Sequence, residues 1–281
     1  MFGGTTIILE DFHAVPFSLP LLHRLYLKVP EYLPRPGLPL AGSATLLYNS
    51  EILVIGGVFE MKRMSSALLL DSQGRMLLNV GPLLFGPRYK HTATLLPNGN
   101  VLTIGGLTDG LNGRFHRRME LYLTTQKKFV DFGLLEADFA GHTATLLNNN
   151  SVLVAGGSIL ASSFLCDIVV RHCRETPLPS NRFGQTTTLL SNKSVFIAGG
   201  YARQLKQGPH LSLRTCEIFD PSTGIRTRTA NLSEPRAYHN AILLRSGRIL
   251  ITGGLDEADN PLSSIEIYDP ATGSFVYTNE A

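Results

Sequence analysis

The chain of 281 residues contains no tryptophan, only three cysteines and no long uncharged apolar run. Each shortage removes a class of protein. Cys166, Cys173 and Cys216 are odd in number and include no Cys-x-x-Cys pair. They read neither as a disulfide framework nor as a zinc or redox motif. No apolar stretch approaches the roughly 20 residues of a membrane-spanning helix, so membrane insertion is not expected. The net charge is only +3. Nucleic acids and membrane surfaces call for concentrated basic patches, so nucleic acid is not an expected partner. At the N-terminus Glu10, Asp11 and His13 interrupt the apolar residues, which is not a signal-peptide layout. No P-loop, carboxylate pair or Ser-His-Asp grouping stands out, so neither an enzyme nor a cofactor is expected.

What the chain does have is glycine, 27 residues, and proline, 16, which suit short strands and turns better than long helices. The glycines come in doublets. Gly3-Gly4 is followed by Gly56-Gly57, Gly105-Gly106, Gly156-Gly157, Gly199-Gly200 and Gly253-Gly254, at gaps of 53, 49, 51, 43 and 54 residues. Five doublets close one ungapped unit: "GSATLLYNSEILVIGG", "HTATLLPNGNVLTIGG", "HTATLLNNNSVLVAGG", "QTTTLLSNKSVFIAGG" and "HNAILLRSGRILITGG". A repeat at this period decides the architecture before any local propensity does.

Each unit is two apolar runs around a polar tip, which predicts a β-hairpin. Asn98-Gly99 is the strongest tip, expected as a two-residue turn with positive φ at its centre. The second runs are apolar or small on both faces, so they are covered on both sides. The first runs begin with small residues, such as Thr143, Ala144 and Thr145, suited to a crowded place where strands converge. After each doublet come a loop and two further strands, clearest in "SSIEIYDPATGSFVYT" at 263–278. Its Asp-Pro and Gly273 are turn formers. Four antiparallel strands in about 50 residues fit a β-propeller blade.

These residues resemble kelch repeats and are similar to the central propeller of the galactose oxidase group. The marks are the apolar run ending in Gly-Gly, the Tyr-Asp-Pro-x-Thr-Gly of 268–273, and an arginine before the inner strand. The expected fold is therefore all-β, a propeller of four-stranded antiparallel kelch-type blades. As one domain over 1–281 it divides into a partial blade at 1–39 and blades at 40–87, 88–138, 139–181, 182–235 and 236–281. "FGG" at the start would end the second strand of the partial blade, with "TTIILED" as its third strand and "HRLYLKV" (23–29) as its fourth. That makes five complete blades and half of a sixth in a chain cut mid-blade. There are departures from the kelch pattern. The fourth-strand tryptophan is replaced by Phe129, Phe275 and Ile225, and "FLCDIVVRHCRETPLP" lacks Tyr-Asp-Pro.

Several residues are candidates for chemistry or binding. The ten glycines of the five doublets have a phosphate-cradle alternative, but no lysine or helix pattern follows them. They are read as backbone positions needing positive φ or close approach. His91, His142 and His239 share one repeat position, with Gly42 and Gln185 in the other two units. A metal-binding ring of imidazoles competes there with a repeated hydrogen bond to neighbouring backbone, which glutamine also makes. Tyr238-His239 resembles the Tyr-His copper ligands of galactose-oxidase-type enzymes, but the matching Tyr-Cys crosslink does not follow. Cys166 and Cys216 are placed at equivalent third-strand positions with Ala67, Met119 and Ile265, as small buried hydrophobes.

Arg88, Arg182 and Arg236 each precede an inner strand. Either they pair with backbone or acids between blades, or they join the loops after the doublets as a binding face. Those loops carry Lys62, Arg63, Arg114, His116, Arg117, Arg118, Arg203, Lys206 and Arg214, and in the last case Asp256, Glu257 and Asp259. The expected function is a non-enzymatic scaffold binding a protein through Arg88, Arg182, Arg236, Tyr238, Arg114, His116 and Arg203. A copper-radical carbohydrate oxidase fragment is one alternative. The other is a glycan-binding exported propeller, toward which sequons at Asn149, Asn192 and Asn231 lean.

Overall fold

In a computed structural model the described residues are 6–9, 12–16, 42–59, 62–108, 115–147, 150–157, 162–176, 182–202 and 211–277. They contain strands and turns and no helix. Five antiparallel sheets have four strands each, in simple up-and-down order. Sheet 1 is Ser43–Leu46, Ile52–Ile55, Ser66–Leu70 and Met76–Pro82. Sheet 2 is Thr92–Leu95, Val101–Ile104, Arg118–Leu123 and Lys128–Leu134. Sheet 3 is Thr143–Leu146, Ser151–Ala155, Ser163–Asp167 and His172–Thr176. Sheet 4 is Thr186–Leu189, Val195–Ala198, Cys216–Phe219 and Arg226–Arg228. Sheet 5 is Asn240–Leu243, Ile249–Thr252, Ile265–Asp269 and Ser274–Tyr277. Four-stranded antiparallel sheets in up-and-down order are the unit from which a propeller blade is made. Near the N-terminus Thr6–Leu9 pairs with Phe12–Pro16. Gly3-Gly4 and residues 23–29 of the expected partial blade lie outside the described residues.

The chain divides into two compact units, one of Met1–Ile8 and Val15–Gly141, the other of Leu9–Ala14 and His142–Ala281. Within each, sheets pack face to face. Leu53, Ile55 and Leu69 of sheet 1 meet Val101, Tyr122 and Phe129 of sheet 2. Leu153 and Leu165 of sheet 3 meet Val195, Ile197 and Phe219 of sheet 4, whose Phe196 stacks on Tyr268 of sheet 5 at 4.3 Å. The second strands of sheets 1 to 4 are buried on both faces, as their apolar runs require, and that of sheet 5 is half-buried on one face. First strands of neighbouring sheets run side by side within a unit, where threonine and alanine leave room.

The hairpin tips differ from expectation. In sheet 2 the N–H of Gly99 donates to Leu96 and that of Leu96 to Asn100, which closes a three-residue loop instead of a two-residue turn. Such a loop puts its last residue in the left-handed region. Ser50, Gly99, Asn150, Lys193 and Gly247 occupy that position in the five hairpins, with φ of 65°, 80°, 60°, 71° and 81°. Only two are glycine. Lys193→Gly is therefore expected to stabilise the protein by up to about 1 kcal/mol, and Gly99→Val to destabilise it by about 1–2 kcal/mol. Thermal melts of the two variants check both signs.

Candidate functional site

Three segments of the form Arg-x-x-His or Arg-x-x-Gln, at 88–91, 182–185 and 236–239, lead into the first strands of sheets 2, 4 and 5. Each pairs with the stretch just after its own doublet, through Tyr89↔Leu107, Phe183↔Tyr201 and Ala237↔Leu255. The post-doublet loops and these segments therefore share one side of each sheet.

The arginines do not face that side. Arg88, Arg182 and Arg236 are 0%, 5% and 0% exposed, which corrects their assignment to a binding face. Their guanidinium groups turn inward to one repeated set of partners. Arg88 pairs with Glu120 and donates to the carbonyls of Gly105 and Arg118, both at 3.2 Å. Arg182 pairs with Glu217 at 3.4 Å and donates to Gly199 and Thr215 at 3.1 and 3.2 Å. Arg236 pairs with Glu266 at 2.8 Å and donates to Gly253 and Ser264 at 2.8 and 3.4 Å. The arginine backbone completes the clasp. Its carbonyl accepts from the second glycine of the preceding sheet: Gly57 to Arg88, Gly157 to Arg182, and Gly200 to Arg236, at 2.7–2.8 Å. Burial pulls the Arg88 and Arg182 pKa values down, and the charges of Glu120 and Glu217 oppose it.

The doublet glycines take their backbone role from this clasp. A Cβ on Gly56 or Gly199 would lie 2.4 Å from the carbonyl oxygen of Arg88 or Arg236, at φ of +55° and +58°. The glutamates were not singled out from sequence. Their signal was a Glu near the start of the third strand of three units, in "MELY", "CEIF" and "IEIY". Such a residue reads as alternately exposed unless its partner, about thirty residues away, is known.

The repeat histidines are also interior. His91 Nε2 lies 2.8 Å from Ser43 Oγ, His239 Nε2 lies 2.8 Å from Thr186 Oγ1, and Gln185 donates to the carbonyl of Ala155 at 2.7 Å. Burial pushes His142 and His239 down to about 3, with the charge of Arg236 adding to the effect at His239. Both imidazoles are therefore neutral at physiological pH. No three metal-ligating side chains converge among the described residues.

The third position of each segment does reach the loop side. Lys90, Gly184 and Tyr238, and Gly141 of the matching Phe-Ala-Gly-His stretch at 139–142 before sheet 3, all have left-handed backbone, with φ of 56°, 66°, 54° and 67°. Glycine is the unstrained choice there, and two segments use it. Tyr238 instead places a half-buried ring against Gly184, whose carbonyl accepts the Tyr238 N–H at 2.7 Å. Tyr201 and Phe183 flank that ring at centroid distances of 5.8 and 6.4 Å. The Tyr201 hydroxyl donates to Asp259 at 2.5 Å. Burial, and then the Asp259 charge, raise the Tyr238 hydroxyl to about 12. The second unit thus has an aromatic group edged by Asp259, whose loop also carries the exposed Glu257.

The other unit differs. Lys62 is exposed, Arg63 stacks over Tyr89 at 5.1 Å, and Arg118 stacks over Phe85 at 4.7 Å. His116 is buried, which lowers its pKa to about 4, with the Arg88 charge adding to the effect. It is therefore corrected from a surface contact to an interior residue. Arg114 and Arg203 lie outside the described residues.

The cysteines need a further correction. Cys166 and Cys173 face one another across a hairpin and form a disulfide. Register places Cys166 opposite Val152, as Tyr122 is opposite Val101 and Tyr268 is opposite Ile249. It is Cys216, opposite Ala198, that aligns with Ala67, Met119 and Ile265.

A family model, the Kelch motif, matches residues 237–279, the whole of sheet 5 with most of its leading segment. No curated protein matches the chain. The motif and the repeated four-stranded sheets together support a kelch-repeat scaffold.

Two consequences are measurable. Arg236→Met leaves Glu266 buried without its cation and is expected to cost about 3–5 kcal/mol, whereas adding Glu266→Leu recovers most of that loss. Urea denaturation of the two variants gives the difference. The neutral histidines make stability pH-dependent. The unfolded chain takes up their protons below about pH 6.5 while the folded chain does not, so stability falls with pH by up to about 1.4 kcal/mol per unit per histidine. Replacing His142 and His239 together by Gln, the residue sheet 4 uses, should flatten the slope between pH 6.5 and 5 in denaturation curves.

Proposed function

We propose that the chain is a non-enzymatic scaffold that binds a protein partner through its loop side. The observation that carries this is Tyr238. Kelch repeats commonly mediate protein interactions, and here the guanidinium and imidazole groups of the repeat are spent inside the sheets. What varies on the loop side is the third position of each segment and the loop beside it. A tyrosine held in a left-handed backbone, where two matching stretches have glycine, carries about 1–2 kcal/mol of backbone strain. Tyrosine is also a residue type favoured at binding hot spots. The adjoining carboxylates, Asp259 and Glu257, favour a partner presenting lysine or arginine.

A second reading takes the same patch as a sugar platform. Aromatic faces with a neighbouring carboxylate suit a pyranose ring as well as a side chain, and Asn192 of one sequon is exposed at a hairpin tip.

Tyr238→Gly removes the ring and restores the glycine found at 141 and 184, and the relieved backbone offsets part of the packing lost against Phe183 and Tyr201, so the variant is expected to stay folded. It is expected to weaken partner capture at least tenfold, by the loss of one hot-spot aromatic of about 2 kcal/mol. A control at the exposed outer turn, Thr223→Ala, should bind as the unmodified protein does. The measurement is quantitative pull-down with mass spectrometry beside a glycan array. A protein retained equally by Tyr238→Gly rejects the site, and array binding lost with the ring transfers it to sugars.

A further inference from the structure

Each sheet must hold its outermost strand, which has a neighbour on one side only. Beside the backbone ladder, one equivalent cross-strand pair near the outer turn differs in chemistry between sheets, and in sheet 1 it is Leu70↔Met76. In sheet 2 the pair is Tyr122↔Phe129, with ring centroids 5.3 Å apart. In sheet 5 it is Tyr268↔Phe275, at 5.1 Å. In sheet 4 Arg226 stands opposite Phe219 and reaches the buried Glu217 at 3.2 Å. In sheet 3 the same pair is Cys166↔Cys173, joined by a disulfide.

The disulfide therefore stands where sheets 2 and 5 have an aromatic pair, and it is the covalent tie of the fourth strand of sheet 3. Besides the disulfide, that strand has its backbone ladder to Ser163–Asp167 and a hydrogen bond donated by the Ser162 hydroxyl to Glu175 at 2.7 Å. His172, Arg174 and Glu175 are exposed, and only Thr176 is buried. The turn before it carries Val169 and Val170, 71% and 70% exposed, where sheets 4 and 5 have Asp-Pro turns. With the bond cut, two small side chains are left where sheets 2 and 5 have two rings.

We propose that Cys166–Cys173 is a redox modification site that sets the order of residues 168–176, with a low-molecular-weight dithiol or disulfide as its co-reactant. Cys166 is fully buried and Cys173 only half-buried, so exchange starts at Cys173. A thiolate of the dithiol attacks Cys173 Sγ and breaks the S–S bond, and Cys166 leaves as a thiolate that takes a proton from water. The second thiol of the reductant then displaces Cys173 and closes its own disulfide. Two electrons pass to the protein, which ends with two thiols. A small disulfide such as oxidised glutathione runs the sequence backwards. The free Cys216, buried in sheet 4 and pushed up to about 12 chiefly by burial, stays out of the exchange.

Peptide-level hydrogen exchange of the whole chain, with and without dithiothreitol, tests this, with alkylation under native conditions counting the thiols. Reduction is expected to make Cys166 and Cys173 alkylatable and to speed exchange in 168–176 at least about tenfold, while sheets 4 and 5 keep their protection. Cys173→Ser should exchange fast in both buffers. Cys166→Tyr with Cys173→Phe, which restores the sister pair, should exchange slowly in both. Exchange in 168–176 that ignores dithiothreitol in the unmodified protein, or Cys173→Ser as protected as the oxidised protein, overturns the proposal.

Discussion

The buried arginine–glutamate pair is the contact on which the rest of the structure depends. Isolated inside a protein, such a pair is a poor source of stability, because desolvating two ions offsets their attraction. Here each ion is also supplied with fixed dipoles. The guanidinium meets two backbone carbonyls, and in sheets 2 and 5 the second carboxylate oxygen accepts a backbone N–H, from Leu84 to Glu120 and from Ser233 to Glu266. The gain is positional. One side chain fixes the doublet, the start of the third strand and the loop before the first strand, while its backbone holds the preceding sheet. The glycines, arginines and glutamates, separate in the sequence, are one device.

Sheet 3 shows what the device can be exchanged for. Register puts Phe164 where Glu120, Glu217 and Glu266 stand, and Phe139 occupies the arginine position. Both phenylalanines are buried, so two apolar side chains replace two ions at matching repeat positions. The backbone half survives, since Gly106 still donates to the carbonyl of Phe139. The backbone bond is thus the constant element, and its side-chain support can be ionic or apolar. The same sheet exchanges its aromatic cross-strand pair for a disulfide. It departs from its sisters at the two places where long-range side-chain pairing matters, and keeps the hairpins that local sequence dictates.

That contrast explains how much was legible in the sequence. The five inner hairpins were readable because tip, apolar runs and doublet lie within sixteen residues. The glutamates and the disulfide were not. A glutamate two residues into a strand has the pattern of a solvent-facing position, and only the arginine about thirty residues upstream turns it inward. Cys166 was misplaced because the stretch between doublet and third strand is short in sheet 3, with strand starts at Ser163 after Gly157 but at Cys216 after Gly200. Register is set by pairing across the hairpin, so counting from the doublet fails. The arginines illustrate the reverse limit. Charge and loop position suggested a surface, and nothing local to them announced the buried carboxylate.

Once arginine, glutamate and histidine are accounted for inside the sheets, the loop side is left with few groups that the fold does not itself use. Lys90 and Tyr238 are two, at one repeat position in the left-handed region. Lys90 is half-buried, and burial lowers its pKa. Both side chains sit where glycine would relieve the backbone and leave every clasp intact. A residue kept at a cost to folding, beside loops that differ in charge, is where the proposed binding surface departs from the shared frame. The frame explains why the sheets are alike. These two side chains, with the acidic loop beside Tyr238 and the arginine-stacked aromatics of the other unit, are what makes one loop side differ from another.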